Sequence, residues 1–328
     1  MAFVRALVLG YRRYGADASQ ALKLAQITPA ELARPDARIT SAQMETVCGH
    51  AMQELDDEAL GWYRRRMPWG SHGLLCRASL AAPTLGLALR RWCRHYRLLI
   101  DDIALTLSVD GATATLAVAE AVDLGALREF CLVTTLRYVH GYACWLVDSQ
   151  LPLLAATFPY PAPPHAAAYP LMFPGPIRHG AACASLVFDA QYLALPPRRD
   201  EKALTAMLRR ALPLTVLQYR RDRLLAQRVK ALLRRHSAEF THAEAIAAAL
   251  QVSVRSLHRQ LAAEGQTLQR LKDEARREQA IEQLRRSAKP IKQIALAVGY
   301  RNEKSFGRAF KGWTGMAPAE FRAAAIAG

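Results

Sequence analysis

Apolar residues recur at helical spacing through most of the chain and alternate in one short region. From Ser41 to Leu55, Met44, Val47, Cys48, Ala51, Met52 and Leu55 fall on one stripe of a helix. Residues 2–65 read as mostly helical. Asp17 stands where it can cap a helix running to Ala25, and Thr28-Pro29-Ala30-Glu31 has the form of a capping box with proline in the first turn. Met67 to Gly73, with Pro68, Trp69, Gly70 and His72, reads as a loop; a helix follows, and Pro83-Thr84 opens another that runs to Leu99. Between Ile103 and Ala119 the period shortens to that of a strand, and Asp110-Gly111 separates the two alternating runs as the turn of a hairpin. Leu127 to Leu146 reads as a long buried helix. Thr157-Phe158, a proline-rich loop from Pro159 to Pro164, a short helix and a strand from Ala184 to Phe188 complete an α+β domain.

Pro196-Pro197-Arg198-Arg199-Asp200-Glu201 marks a boundary. A linking helix is expected over 200–219, with a bend at Pro213. Leu225, Val229, Leu232 and Leu233 then start an all-α region. This region contains two helix-turn-helix patterns in tandem. In the first, Ile246, Ala247 and Leu250 make the inner stripe of one helix. Ser253 caps the next, whose Val254, Leu257 and Leu261 turn inward; Gly265 ends it. In the second, Pro290 sits in the first turn of a helix carrying Ile291, Ile294, Ala295 and Val298 inward. Gly299 ends that helix, and Asn302 caps the following one, with Phe306, Phe310 and Trp313 as its inner stripe. Thr267 to Arg286 reads as a single helix joining the two patterns.

The composition sharpens this picture at one point. The 328 residues carry a net charge of +16, and the basic excess falls mainly after residue 195, beside the tandem patterns. A helix of this kind enters the major groove of double-stranded DNA with its N-terminal residues at the base edges. Arg can read guanine with two hydrogen bonds, while Lys and Arg grip phosphates. The outward positions are Arg255, Ser256, His258 and Arg259 in the first pattern. In the second they are Arg301, Asn302, Lys304, Ser305, Arg308 and Lys311. These are the expected DNA-binding residues.

The second pattern also carries a resemblance. Ile294-Ala295, Gly299-Tyr300, Phe306, Arg308-Ala309-Phe310-Lys311, Trp313, Gly315, Pro318 and Phe321-Arg322 follow, in order and spacing, the signature of the AraC/XylS family of bacterial transcription regulators. Residues about 220 to 325 resemble that family's DNA-binding domain. Two positions depart from its usual form: Arg301 replaces a small polar residue, and Gly307 replaces Ser, at a helix cost of about 1 kcal/mol relative to Ala. Pro68 to Arg91, Phe158 to His165 and Leu186 to Ala190 are similar to the regulatory domain of the ornithine-utilisation-regulator branch. The resemblance implies an effector-binding and dimerisation domain over 1–199 and a double helix-turn-helix domain over 220–328. It also implies a homodimer, a small-molecule effector, promoter DNA and RNA polymerase as partners, and an activator. Trp69 and His72, on the loop before a helix, are the candidate effector contacts. Trp92, His95 and Tyr96 read as core or interface, and Arg64-Arg65-Arg66 as a solvated face.

Other function classes fare worse. No nucleophile elbow, zinc-protease motif, phosphate loop or dinucleotide fingerprint is present, so no enzyme, catalytic residue or cofactor is expected. A DNA-repair methyltransferase would need a zinc-cysteine cluster and a reactive Cys motif. A purely architectural DNA binder would not need some 200 residues of apolar-cored domain. Cys48, Cys76, Cys93, Cys131, Cys144 and Cys183 sit in scattered, mostly apolar settings without metal-ligand spacing, as reduced thiols of a cytoplasmic protein do. Arg5 interrupts the N-terminal apolar stretch, and His140, Asp148 and Pro152 interrupt the stretch to Phe158, so neither a signal peptide nor a membrane span is expected.

Overall fold

Capping chemistry starts the first helices. A computed structural model describes residues 1–34, 36–209, 221–235, 240 and 242–327, which fall into two compact units, Met1–Arg221 and Asp222–Gly328. The first unit opens with Ala2–Arg13 (α1) and Ser19–Leu24 (α2). Asp17 accepts from the Ser19 amide at the entry to α2. Thr28 and Glu31 close a reciprocal capping box on Pro29–Ala33 (α3), and Thr40 and Gln43 close another on Ser41–Glu54 (α4). α4 buries Val47, Cys48, Ala51 and Met52, the stripe expected from the periodicity. Ser71–Leu80 (α5) and Leu85–Leu99 (α6) follow, the latter capped by Thr84. His72 therefore lies in the first turn of α5 and not on the preceding loop. Gly70, at φ 99°, completes the turn, and the helix starts directly after it.

The hairpin forms between Ile103–Asp110 (β1) and Thr113–Glu120 (β2). Its turn is Gly111-Ala112, one residue later than the Asp110-Gly111 expectation, because Asp110 still pairs with Thr113. Arg128–Val147 (α7) comes next, then Leu153–Phe158 (β3), Tyr169–Met172 (α8), Ile177–His179 (β4) and Ala184–Asp189 (β5). The sheet order is β1-β2-β5-β3-β4, antiparallel except for the parallel β3/β4 pair. β4 is too short to show an alternation in the sequence. Leu105, Leu116, Leu186 and Ala156 are buried on neighbouring strands. α7 is buried on nearly all sides within its own unit, as the long buried helix expected over Leu127 to Leu146. α6 instead leaves Leu87 and Leu98 exposed. Asp200 caps Glu201–Leu208 (α9), which lies against α5. Of the linking helix expected over 200–219, this start is described; the bend expected at Pro213 lies outside the described residues.

The second unit comprises Leu225–Arg235 (α10), Ala243–Ala249 (α11), Val254–Ala263 (α12), Leu268–Arg286 (α13), Ile291–Ala297 (α14), Glu303–Thr314 (α15) and Pro318–Ala327 (α16). α13 belongs to two cores. Its Leu268, Leu271 and Ala275 join Leu225, Val229, Ile246, Leu257 and Leu261. Its Ala280 and Leu284 join Ile294, Val298, Phe306 and Phe310. Pro290 is the N-cap of α14, one position ahead of the first-turn site expected for it, because it takes an extended ψ of 141°. The sequence-level architecture, an α+β domain followed by an all-α double helix-turn-helix domain, is the one observed.

Candidate nucleic-acid interface and candidate ligand cavity

Two turns aim the outer faces of α12 and α15. Ser253 Oγ accepts from the Ser256 amide at 3.1 Å, and Asn302 Oδ1 accepts from the Ser305 amide at 2.8 Å. Each bond satisfies a free N–H at the first turn and fixes where the helix begins. Ser253 and Asn302 thus cap the helix starts, through the Ser256 and Ser305 amides. With these starts fixed, Arg255, His258 and Arg259 are exposed on α12, as are Lys304, Arg308 and Lys311 on α15; Arg301 is exposed in the preceding turn.

Several basic residues of the neighbouring helices are held in ion pairs. On α10 and α13, Lys230 pairs with Glu274, Arg234 with Glu278, Arg270 with Glu274 and Arg286 with Glu282. Arg276 lies over the Tyr300 ring, 5.5 Å from its centroid. Arg255, Arg259, Lys304, Arg308 and Lys311 form no ion pair with any described residue. Several scaffold cations are thus paired internally, whereas the basic side chains on the outer faces of α12 and α15 are exposed and without an ion pair among the described residues. α13 is 19 residues long, hence about 28 Å at 1.5 Å per residue, close to the repeat of B-DNA at about 34 Å.

The first unit holds a cavity of about 640 Å³ between α4, α5, α6, α7 and the end of α9. Trp69 and His72 both line it, together with Glu58, Trp62, Trp92, Tyr96, Tyr138, Leu208 and Arg209. Trp69 stands half-exposed at the mouth. The His72 ring lies 5.5 Å from that of Trp92 and 5.0 Å from that of Tyr138, with Nε2 3.5 Å from Cys76 Sγ. Burial lowers its pKa to about 4, so the neutral imidazole is held at physiological pH.

Glu58 is the unexpected member. Its carboxylate accepts from the Gly70 amide at 2.8 Å and the His72 amide at 2.6 Å, anchoring the start of α5. Burial raises its pKa to about 7; the two amide bonds oppose this only in part. It has no ion-pair partner among the described residues. Nothing in the sequence periodicity singles out Glu58, Trp62, Tyr138 or Leu208, because the cavity is assembled from separate helices. Trp92 and Tyr96, read from the sequence as core or interface, are buried and line the cavity as well.

A second set of buried polar groups supports α7. His140 Nε2 donates to the Leu151 carbonyl at 2.8 Å, and Arg137 Nη1 lies 3.4 Å from His140 Nδ1. Burial, then the adjacent Arg137, lowers the His140 pKa to about 4. Among the described residues, no group of three or more His, Cys, Asp or Glu side chains is placed to hold a metal ion, and no helix is long and apolar enough to cross a membrane.

Comparison with known proteins meets these observations at both units. Residues 15–197 match the family described as the arabinose-binding domain of AraC transcription regulator, N-terminal, and residues 246–324 match a helix-turn-helix domain family. The chain is 28% identical to the ornithine utilization regulator of Pseudomonas aeruginosa, over 99% of this chain and 96% of that protein. It is 36% identical to the transcriptional regulator VqsM of Pseudomonas aeruginosa, over 30% of each chain. The crystal structure of the transcriptional regulator CdpR from Pseudomonas aeruginosa aligns with a TM-score of 0.34 at 22% identity, covering 93% of this chain and 96% of that one.

Proposed function

Because the chain belongs to the AraC family of transcription regulators, we propose that it is an activator whose N-terminal part binds a small-molecule effector and pairs two copies, while its C-terminal part reads promoter sites. DNA binding and transcription regulation come with the family; its relatives are regulators and not enzymes. The finer reading assigns effector binding and dimerisation to residues 1–199, coupling to 200–219 and DNA recognition to 220–328. RNA polymerase is the second macromolecular partner, and the cytoplasm the compartment.

The observation that carries the DNA-contact assignment is the set of basic side chains exposed on the outer faces of α12 and α15, directly after their capped starts and without an ion pair among the described residues. Arg255, His258 and Arg259 offer base-reading chemistry. Lys304, Arg308 and Lys311 suit phosphates, with Arg301 and Ser305 beside them and Ser256 on the first helix. The effector reading is supported by an apolar cavity of the size small ligands fill. Dimerisation is supported by the exposed Leu87 and Leu98 on α6 and by the two-fold symmetry that paired half-sites favour.

A promoter reporter tests the whole reading. Output should rise with effector in the presence of the full chain and lose its effector response when residues 1–199 are removed. Induction that persists after that deletion overturns the sensing role. A fall in output on adding the regulator makes it a repressor.

A further inference from the structure

We propose that the cavity of the first unit takes an organic cation, held by the Glu58 carboxylate within a cage of aromatic side chains. The proposal rests on the reading of this cavity as the effector site and names the chemistry of its ligand. Three observations carry it. Trp62, Trp69, Trp92, Tyr96 and Tyr138 all line the one cavity, an unusual density of electron-rich rings. Such rings attract ammonium groups through their negative faces, most strongly where water is excluded. Glu58 lines the same cavity and finds no cationic side chain among the described residues. Its two amide bonds use about half of a carboxylate's acceptor capacity, leaving roughly two sites for a ligand N–H. Part of the remaining wall is aliphatic, with Leu75, Val139 and Leu208, and suits an alkyl body behind the charged head; Glu45, Gln53 and Thr135 add polar groups beside it. Arg209, exposed, also lines the cavity, so an anionic ligand is the natural rival.

The full-length protein, titrated with hexylammonium, 1-hexanol and hexanoate, separates these cases. Tryptophan fluorescence and thermal unfolding are both suitable readouts, since Trp62, Trp69 and Trp92 line the cavity. Hexylammonium should bind at least ~10-fold more tightly than the other two, the order expected when a buried charge gains its partner. Glu58→Gln should bring hexylammonium down to the level of 1-hexanol. Glu58 also anchors α5, so Trp69→Leu, at the half-exposed mouth, is the second variant. It should weaken hexylammonium about 3-fold or more, as loss of one cation–π contact does, and change 1-hexanol little. Equal binding of 1-hexanol or hexanoate overturns the cation assignment and leaves an effector site in the cavity. So does a folded Glu58→Gln or Trp69→Leu protein with the cation preference intact. Silence of all three compounds overturns the assignment together with the effector reading of this cavity.

Discussion

Single residues of the first unit hold contacts that the periodicity does not announce. A Cβ at Gly10 would stand 2.1 Å from the Leu60 carbonyl oxygen, and the obstruction is backbone. Gly10→Ala should therefore destabilise the protein by about 3 kcal/mol or more, the upper range for overpacking, read as a fall in the urea midpoint at constant slope. Asp57, buried, accepts from the amides of Ala59, Gly61 and Met67 and from the Tyr14 hydroxyl, and so ties the 57–67 loop to α1. His140 gives a pH prediction. Its folded pKa of about 4 lies below the ordinary 6.5, so the unfolded chain takes up the proton first. The stability this group contributes is complete above about pH 6.5 and is lost as pH falls towards 4, a loss of roughly 3 kcal/mol. Glu58 acts in the opposite sense: with a folded pKa raised to about 7, it costs stability as pH rises from about 4.5 to 7. Comparing His140→Gln with the wild type cancels that common slope. The variant should lose less stability between pH 7 and 4, and an identical slope would remove His140 from the account.

At the scale of elements, capping and spacing carry most of what the sequence reveals. Thr28, Thr40, Thr84, Ser253, Thr267 and Asn302 all cap helices; the sequence shows Thr28 through its capping box and Ser253 and Asn302 through the apolar stripes that follow them, whereas Thr40 and Thr267 emerge as caps only in the structure. The start of α5 was not legible: its cap is the remote Glu58, which no local pattern can show. The α12 and α15 faces were legible for the same reason as their cores, since a helix that buries Leu257 and Leu261 must present Arg255 and Arg259 outward. Asn302→Ala should cost about 1 kcal/mol of stability and weaken DNA binding by disordering the first turn of α15. Arg259→Ala should lower affinity for the specific site by about 1–3 kcal/mol and affect random DNA much less. Lys311→Ala should weaken both about equally. Competition binding on a specific operator and a scrambled duplex checks the split; parallel losses for both variants would abolish it.

At the scale of the whole molecule, the sequence shows two kinds of domain and a linking helix over 200–219 that could couple them, but not what that helix touches. α9 supplies a concrete link. Leu208 lines the cavity and packs on α5, where a Cβ at Gly73 would lie 3.2 Å from its Cδ1; Arg209 follows it along the cavity wall. The segment that leads from the first unit toward the second is thus part of the surface a ligand would meet. A ligand changes output only through a difference in its affinity for two arrangements, and that coupling is typically about 1–3 kcal/mol. If α9 is the element that moves, truncating its ligand-facing side chain should reduce the coupling more than the binding. Leu208→Ala should therefore lower the effector-induced change in promoter output by about 5-fold or more, the lower end of such couplings. Operator affinity without effector should stay near wild type, because α12 and α15 are untouched. Output across effector concentration separates the two effects, since a binding defect shifts the midpoint and a coupling defect lowers the plateau. An unchanged plateau with a shifted midpoint would leave Leu208 as pocket lining alone and place the coupling elsewhere in the chain.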